Sequence, residues 1–201
     1  QAQAALNATG RHPNVQGLGL ETIGVTPDKK GAIPVDADSR TTASGVWAIG
    51  DVTNRVNLTP VAIAEGRAFA DTEFGGRPMQ VSHHNIASAV FCSPPIASVG
   101  LTEAQAAEKG PTDVYTSQFR PMKKAFVGSN ERTFMKLLVD RTTDRVVGIH
   151  MLGADAPEII QGLAISISAG ATKRHFDSTM ALHPTSSEEF VLMREPVRKH
   201  G

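Results

Sequence analysis

The stretch FMKLLVDRTTDRVVGIHML occupies residues 134–152 and predicts an antiparallel β-hairpin. Its two apolar runs, 134–139 and 146–152, flank a segment rich in Asp and Thr, which are residue types that favour turns. Further short runs of β-type composition lie at 89–91, 96–100 and 114–117. We therefore expect an antiparallel sheet in the C-terminal part of the chain.

Two helices are predicted around this sheet, one from Thr102 to Lys109 and one from about Ala156 to Ala169. The second carries more apolar residues than one narrow face can hold, namely Ile159, Ile160, Leu163, Ile165 and Ile167. Such a helix should be buried on most of its sides. Burial against a second subunit and a central position in a two-layer α+β domain both explain the pattern, and the two are compatible.

In the N-terminal part, Gly45 to Asp51 reads GVWAIGD and predicts a strand that ends in a glycine and a carboxylate. Ligands of α/β folds gather at such strand ends. Leu58-Thr59-Pro60 then predicts the start of a helix, with Thr59 as the N-cap and Pro60 at the first helical position, and Gly75-Gly76 should end it. An ordinary βα unit with a loop aspartate explains the same residues, and for this stretch by itself it is the better explanation.

The tail His183 to Glu189 reads HPTSSEE and has the composition of a catalytic segment. Pro184 disfavours the helical region for His183, so the imidazole should end an extended segment just before a helix that starts at Thr185. A carboxylate such as Glu188, bonded to one ring nitrogen, would fix the tautomer and leave the other nitrogen free to exchange a proton. The alternative is a capping box between Thr185 and Glu188 with an ordinary surface His183, which is the more common situation for such a stretch.

Composition excludes several classes of protein. The 201 residues are 40% apolar, enough for a real core, and 20 basic residues balance 20 acidic ones, so no nucleic acid or anionic lipid partner is expected. No apolar run is long enough to span a bilayer, and nothing at the N-terminus resembles a signal peptide. We expect a soluble, cytoplasmic protein that does not bind membranes. Because the chain begins at Gln1, we also expect a fragment of a longer polypeptide.

The cysteine and histidine content gives no sign of a metal or disulfide centre. A single cysteine, Cys92, excludes an internal disulfide framework and fits a reducing compartment, and it should be a buried strand residue. The histidines outside the tail lack ligand-like spacing, so we predict surface or packing roles and no metal site. They include His83, His84, His150 and His175.

Several stretches taken in order resemble those of the FAD-dependent pyridine nucleotide-disulfide oxidoreductases, and within that family the members that reduce glutathione disulfide. They are Ala8–Arg11, Thr41–Asp51, Leu58–Ala64, Pro94–Glu103, Gly170–Lys173 with Phe176-Asp177, and the His183 tail. The resemblance implies an α/β plus α+β fold. Residues 1–13 would end an NADPH-binding domain, residues 14–84 would be the returning part of a Rossmann-like FAD domain, and residues 85–201 would form an α+β interface (dimerisation) domain with an antiparallel sheet.

The same resemblance implies cofactor contacts in the first of these parts. Asp51 would accept hydrogen bonds from hydroxyl groups of FAD, next to Gly50 and Arg11. Leu58 and Thr59 would begin the helix that points at the flavin, where the positive end of the helix dipole favours negative charge on the reduced ring.

For catalysis, the resemblance implies that His183 and Glu188 form the acid–base pair for thiol-disulfide exchange and act in the partner subunit of a homodimer. Met122 and Glu189 would contact glutathione, and Arg67 would bind a carboxylate of the tripeptide disulfide, a good use of a fixed bidentate donor. Trypanothione reductases lack that arginine. Leu192 departs from the pattern, since a polar residue is common there in relatives.

The resulting interpretation is the C-terminal part of an NADPH-dependent glutathione-disulfide reductase with FAD and NADPH as cofactors. The glycine loops for both cofactors and the redox cysteine pair are not in this sequence, so we expect the isolated chain to be inactive and to bind FAD weakly or not at all. A non-catalytic dimerisation module, or a related reductase of the trypanothione or dihydrolipoamide type, remains the alternative.

Overall fold

The computed structural model describes residues 2–201. These residues divide into a first unit that ends at His83 and a second unit that begins at His84. The functional domain boundaries expected after residues 13 and 84 stay predictions.

The first unit contains one α-helix, α1 (Thr59–Glu73), and two short 3-10 helices, Leu20–Ile23 and Gly50–Thr53. Helix α1 starts one residue earlier than predicted, because Leu58 is the N-cap and Thr59 is already helical. Pro60 is tolerated in this first turn since its missing N–H would have had no intrahelical partner.

The strand predicted over 45–51 is wrong. Trp47 forms only an isolated antiparallel bridge with Arg40, and Gly50 already opens a 3-10 helix. The Ala48 amide donates to the carbonyl of Ser39 at 3.0 Å, so the segment pairs with one short neighbour instead of with a ladder. An apolar run becomes a strand only where a second strand satisfies its backbone groups, and the described part of this unit offers no longer partner.

The second unit is built on a six-stranded antiparallel sheet with the order β1-β2-β5-β4-β3-β6. Its strands are β1 (Ser88–Val90), β2 (Ile96–Gly100), β3 (Thr112–Phe119), β4 (Thr133–Asp140), β5 (Val146–Leu152) and β6 (Arg198–His200). The predicted hairpin is present, with Phe134 opposite Leu152 and Leu137 opposite Ile149. The antiparallel sheet expected from the sequence is therefore confirmed.

Five helices accompany this sheet. They are α2 (Glu103–Lys109), α3 (Met122–Phe126), α4 (Ala156–Ser168), α5 (Lys173–Ser178) and α6 (Glu189–Leu192). The start of α2 matches the sequence, because Thr102 caps it in a reciprocal box with Gln105. Helix α4 packs on β2 and β5 and closes the main core of the unit.

Helix α4 is less buried in the single chain than its composition suggested. Ile160 and Ile167 are buried in the core, whereas Ile165 is 71% exposed. The sheet covers only one side of a helix, so Ile165 on the far side of α4 is not covered by the second unit. Its burial against a second subunit stays a prediction.

Ion pairs with Glu103 stabilise the position of the C-terminal strand β6. The carboxylate of Glu103 accepts from Arg198 at 2.8 and 2.9 Å, from Lys136 at 2.7 Å and from His200 at 3.0 Å. The hydrogen bonds from Arg198 lower the pKa of Glu103 far below its usual range, against an opposing effect of burial, and Lys136 and His200 lower it further.

Cys92 is not the buried strand residue that was expected. Strand β1 ends at Val90, and Cys92 is exposed in the turn that follows, with its Sγ 3.1 Å from the carbonyl of Pro94. Within residues 2–201, no helix is long and apolar enough to cross a membrane.

Candidate functional site

The tail places the imidazole of His183 on the carboxylate of Glu188. Nδ1 lies 3.1 Å from each carboxylate oxygen. The His183 side chain is 68% exposed, whereas that of Glu188 is 13% exposed. A carboxylate can only accept, so Nδ1 carries the hydrogen, and Nε2 has no hydrogen-bond partner among residues 2–201. This is the arrangement that proton exchange with an external group requires.

The same carboxylate also closes the turn that carries the ring. Its Oε1 accepts from the amide of Thr185 at 3.2 Å, and the Glu188 amide donates to the Thr185 hydroxyl at 3.2 Å. These are the reciprocal contacts of a capping box, formed here in the turn ahead of α6. The contacts expected under both interpretations of the tail sequence are therefore present, and the catalytic role of His183 stays a prediction.

Helix α6 starts later than the sequence suggested. Glu188 is its N-cap and Glu189 its first residue, so Thr185 to Ser187 form a turn ahead of the helix. The helix is four residues long and is fixed by Phe190, which is 1% exposed in the main core. A short element of this kind depends on such an anchor, because so few backbone hydrogen bonds cannot stabilise it.

An open cleft of about 770 Å³ lies in front of the tail. It brings together four predicted site residues, which are Met122, His183, Glu188 and Glu189. The cleft is also lined by two apolar side chains and one cationic side chain that were not predicted from the sequence, namely Phe119, Phe126 and Arg120. Glu189 accepts a hydrogen bond from the hydroxyl of Ser117 at 2.9 Å, which ties it to β3. The cleft thus joins the exposed imidazole of His183 to apolar surface and to charges of both signs.

The first unit brings together the residues predicted to bind the cofactor. The carboxylate of Asp51 is 58% exposed and lies 3.9 Å from Nη1 of Arg11, which also donates to the Asn57 carbonyl at 2.9 Å. Asn57 directly precedes Leu58 and Thr59 at the start of α1, and this helix start has no side-chain cap.

Gly50 allows the turn to approach the helix closely. Its φ is +69°, and a Cβ at this position would lie 3.1 Å from Cβ of Ala62. A larger residue is therefore disfavoured by the backbone conformation and by the tight approach of Ala62. The carboxylate acceptor of Asp51 is thus exposed, and at the start of α1 the Thr59 amide has no hydrogen-bond partner among the described residues. This set of one acceptor and one donor at a positive helix end fits the hydroxyl and ring groups of a flavin nucleotide.

Glu65, which was not predicted from the sequence, is the most buried carboxylate near this turn. Its side chain is 1% exposed, and it accepts from the Gly50 amide at 2.6 Å, from Nε2 of His83 at 2.7 Å and from Nη2 of Arg55 at 2.9 Å. Burial raises the pKa of Glu65, but the hydrogen bonds from Gly50 and His83 and the charge of Arg55 outweigh it and lower the pKa overall. The available signal was its spacing, since it shares the buried stripe of α1 with Val61 and Ala68.

Arg67 is not brought together with these groups. It is exposed on α1, and within the described residues it makes no hydrogen bond or ion pair. Two of the other histidines have hydrogen-bond partners: His150 faces the carbonyl of Leu101 at 2.9 Å, and His175 completes the capping box of α5. No cluster of three or more metal-ligating side chains occurs among residues 2–201.

Two family models match the chain. The model described as the pyridine nucleotide-disulphide oxidoreductase dimerisation domain matches residues 86–194, and the one described as pyridine nucleotide-disulphide oxidoreductase matches residues 1–66. The chain belongs to the pyridine nucleotide-disulphide oxidoreductases. The resemblance and the fold class inferred from the sequence are thereby confirmed.

Curated relatives of this oxidoreductase chain include two kinds of reductase. It is 55% identical over 195 residues to the glutathione reductase of Burkholderia cepacia, covering 96% of the chain and 43% of the relative. It is 46% identical over 187 residues to the trypanothione reductase of Leishmania donovani, covering 92% of the chain and 38% of the relative. The chain thus spans less than half the length of these relatives.

Among solved structures, this oxidoreductase chain is similar to the HOCl-induced flavoprotein disulfide reductase RclA from Escherichia coli. The TM-score is 0.80 at 28% identity, with 92% of this chain and 43% of the other covered.

Proposed function

We propose that this chain is the C-terminal part of an NADPH-dependent glutathione-disulfide reductase. The observation that carries the proposal is the His183–Glu188 pair, in which a carboxylate orients an imidazole whose other nitrogen is free in an open cleft. The higher identity to a glutathione reductase than to a trypanothione reductase supports the choice of substrate.

In this function, His183 moves one proton. Thiol-disulfide exchange proceeds through a thiolate, so Nε2 takes the proton from the attacking thiol and returns it to the glutathione thiolate that leaves when the S–S bond breaks. Glu188 keeps the proton on Nδ1 and stabilises the imidazolium between the two transfers. In the proposed homodimer the ring serves the active site of the partner subunit.

The cofactors of the proposed enzyme are FAD and NADPH. Asp51, Gly50, Arg11, Leu58 and Thr59 would hold the flavin, supported by the exposed carboxylate and the uncapped start of α1. When bound, FAD would supply the redox chemistry that links NADPH to the disulfide. The chain's own residues contribute an acceptor for hydroxyl groups and a positive helix end that favours an anionic ring.

The substrate, domain and partner assignments belong to the same proposal. Met122 and Glu189 would contact glutathione from the cleft, and Arg67 would bind a carboxylate of the disulfide. Residues 1–13, 14–84 and 85–201 would be parts of NADPH, FAD and interface domains of a homodimer. The cytoplasm is the proposed compartment, although a relative from Pisum sativum, 55% identical over 193 residues, is named as chloroplastic/mitochondrial.

The decisive experiment replaces His183 with Gln in a chimera in which residues 1–201 substitute for the matching part of the Burkholderia cepacia enzyme. Flavin reduction by NADPH should stay nearly unchanged, because hydride transfer does not use this proton. Turnover of glutathione disulfide should fall by about 10²–10⁴-fold, the usual size of a lost general acid–base. Stopped-flow reduction and steady-state kinetics separate the two half-reactions.

Glu188→Gln is the matched variant. It should lower the turnover of glutathione disulfide by less than His183→Gln does, since Glu188 orients the ring without exchanging the proton itself. Arg67→Ala should raise the KM for glutathione disulfide and spare kcat, as loss of a binding contact does. An unchanged turnover in the His183→Gln chimera would remove the catalytic role, and a preference for trypanothione disulfide in the parent chimera would favour the related reductase instead.

A further inference from the structure

The Gly50–Asp51 turn is held by side chains that bind both backbone groups of Gly50. The amide of Gly50 donates to the carboxylate of Glu65 at 2.6 Å. The carbonyl of Gly50 accepts from the hydroxyl of Thr53 at 2.8 Å. Gly50 is therefore fixed through both of its hydrogen-bonding groups, and Asp51 is the next residue along the chain.

Arg55 joins the two anchors into one network. Its Nη2 lies 2.9 Å from Oε1 of Glu65 and 2.9 Å from Oγ of Ser39, and its Nε donates to Oγ1 of Thr53 at 3.2 Å. His83 adds a contact to Oε1 of Glu65 at 2.7 Å. Such a network is rigid, since displacing one member leaves the others with unmade hydrogen bonds.

Because the Glu65 carboxylate is buried, its removal should be costly. Its side chain is 1% exposed, so each hydrogen bond acts in a low local dielectric and water cannot replace a lost partner. In contrast, the Asp51 side chain is 58% exposed, and its carboxylate has no hydrogen bond within the described residues; it lies 3.9 Å from Nη1 of Arg11. The direction of the Asp51 carboxylate thus depends on the backbone that carries it, in a turn where Gly50 has a φ of +69°.

We propose that Glu65 is a positioning residue that fixes the Gly50–Asp51 turn, so that Asp51 presents its carboxylate to a ligand bearing hydroxyl groups. The inference rests on the proposed function where it takes this ligand to be FAD. Glu65 itself touches no cofactor in this account and acts through the backbone of Gly50. Arg55 and His83 keep it ionised and oriented.

The first test measures amide hydrogen exchange at Gly50 in the 201-residue chain, without any cofactor. Glu65→Met keeps the side-chain volume and removes the acceptor, whereas Glu65→Gln retains an oxygen that can accept from Gly50. We expect exchange at Gly50 to speed up by about 10- to 100-fold in Glu65→Met, the size of one lost hydrogen bond to a charged group. Glu65→Gln should recover a large part of this loss, which a purely packing role would not produce. Amides of the second unit, such as those of Leu137 and Ile149, are the internal control for global unfolding.

The second test measures the dissociation constant of FAD by flavin fluorescence in the chimera described above. Glu65→Met should weaken FAD binding by about 10-fold or more, Glu65→Gln by less, and Asp51→Asn is the positive control. If Glu65→Met fails to fold, Thr53→Val is used in its place. This variant removes the hydroxyl that donates to the Gly50 carbonyl at almost equal side-chain volume, and it should also weaken FAD binding.

The outcomes separate this inference from the proposed function. Equal Gly50 exchange in the parent chain and in Glu65→Met would overturn it. FAD binding that is weakened by Asp51→Asn but not by Glu65→Met would also overturn the inference. That result would leave the proposed function intact. If the parent chimera binds no FAD, the proposed function fails, and the exchange experiment alone decides whether Glu65 fixes the turn.

Discussion

The two units of the chain hold their candidate sites by different means. In the second unit a six-stranded sheet and α4 enclose a large apolar core, and the His183 tail is attached to that core through Phe190. In the first unit the buried apolar cluster consists of Val25, Ile33 and Ala48 with a few partly buried neighbours. Polar side chains that accept from backbone amides, including Asp28, Asp36 and Glu65, shape its loops. A site can therefore be held in place by packing or by individual hydrogen bonds. Single polar substitutions should matter most where individual hydrogen bonds hold the site.

The largest effect should come from the core of the second unit. Ile160→Ala removes a side chain that is 1% exposed and should lower the free energy of unfolding by about 2–5 kcal/mol. The matched control on the same helix is Ile165→Ala, at a residue that is 71% exposed and that should matter only where two chains associate. Denaturant unfolding at several protein concentrations measures both. Equal, concentration-independent effects of the two variants would contradict the comparison.

A smaller and pH-dependent effect should come from the charge cluster at β6. The folded pKa of Glu103 lies below its unfolded value near 4.5, so its stabilisation is fully present above that value and is lost as the pH falls through the folded pKa. Glu103→Gln should cost about 1–2 kcal/mol at neutral pH, a figure that allows for solvent screening.

The measurement is unfolding free energy as a function of pH for the parent chain and for Glu103→Gln. The difference between them should shrink steadily as the solution becomes more acidic than pH 4.5. A difference that stays constant down to strongly acidic pH would show that the contribution of Glu103 is not electrostatic.

The smallest effect should come from one loop anchor of the first unit. Oδ1 of Asp28 accepts from the amides of Lys30 at 2.7 Å and Ala32 at 2.9 Å, in an exposed turn. Asp28→Ala should cost about 0.5–1.5 kcal/mol, the range for a typical hydrogen bond, and Asp28→Asn should recover part of it because the amide oxygen still accepts. Amide exchange at Ala32 is the direct readout. If Asp28→Asn and Asp28→Ala exchange equally fast, the turn is not held by this side chain.

The same contrast explains what the sequence could predict. The hairpin, the start of α2 and the pairing of His183 with Glu188 depend on periodicity, turn residues and local capping, all of which can be recognised in a short window. The isolated bridge at Trp47 could not be predicted, because whether an apolar run becomes a strand depends on a distant partner. Glu65 was missed for a related reason, since its partners Gly50, Arg55 and His83 come from three other positions along the chain.

Every contact that orients His183 lies within five positions of it along the chain, and the carboxylate that holds the ring also closes the turn. Closing so short a loop costs little conformational entropy, so the arrangement can form without long-range pairing of strands. The segment is therefore a portable unit for protein design: a scaffold that offers one buried pocket for the residue equivalent to Phe190 could receive residues 183–190 as a pre-oriented imidazole–carboxylate pair. It also follows that selection cannot tune the ring and the turn independently at position 188, because one side chain serves both.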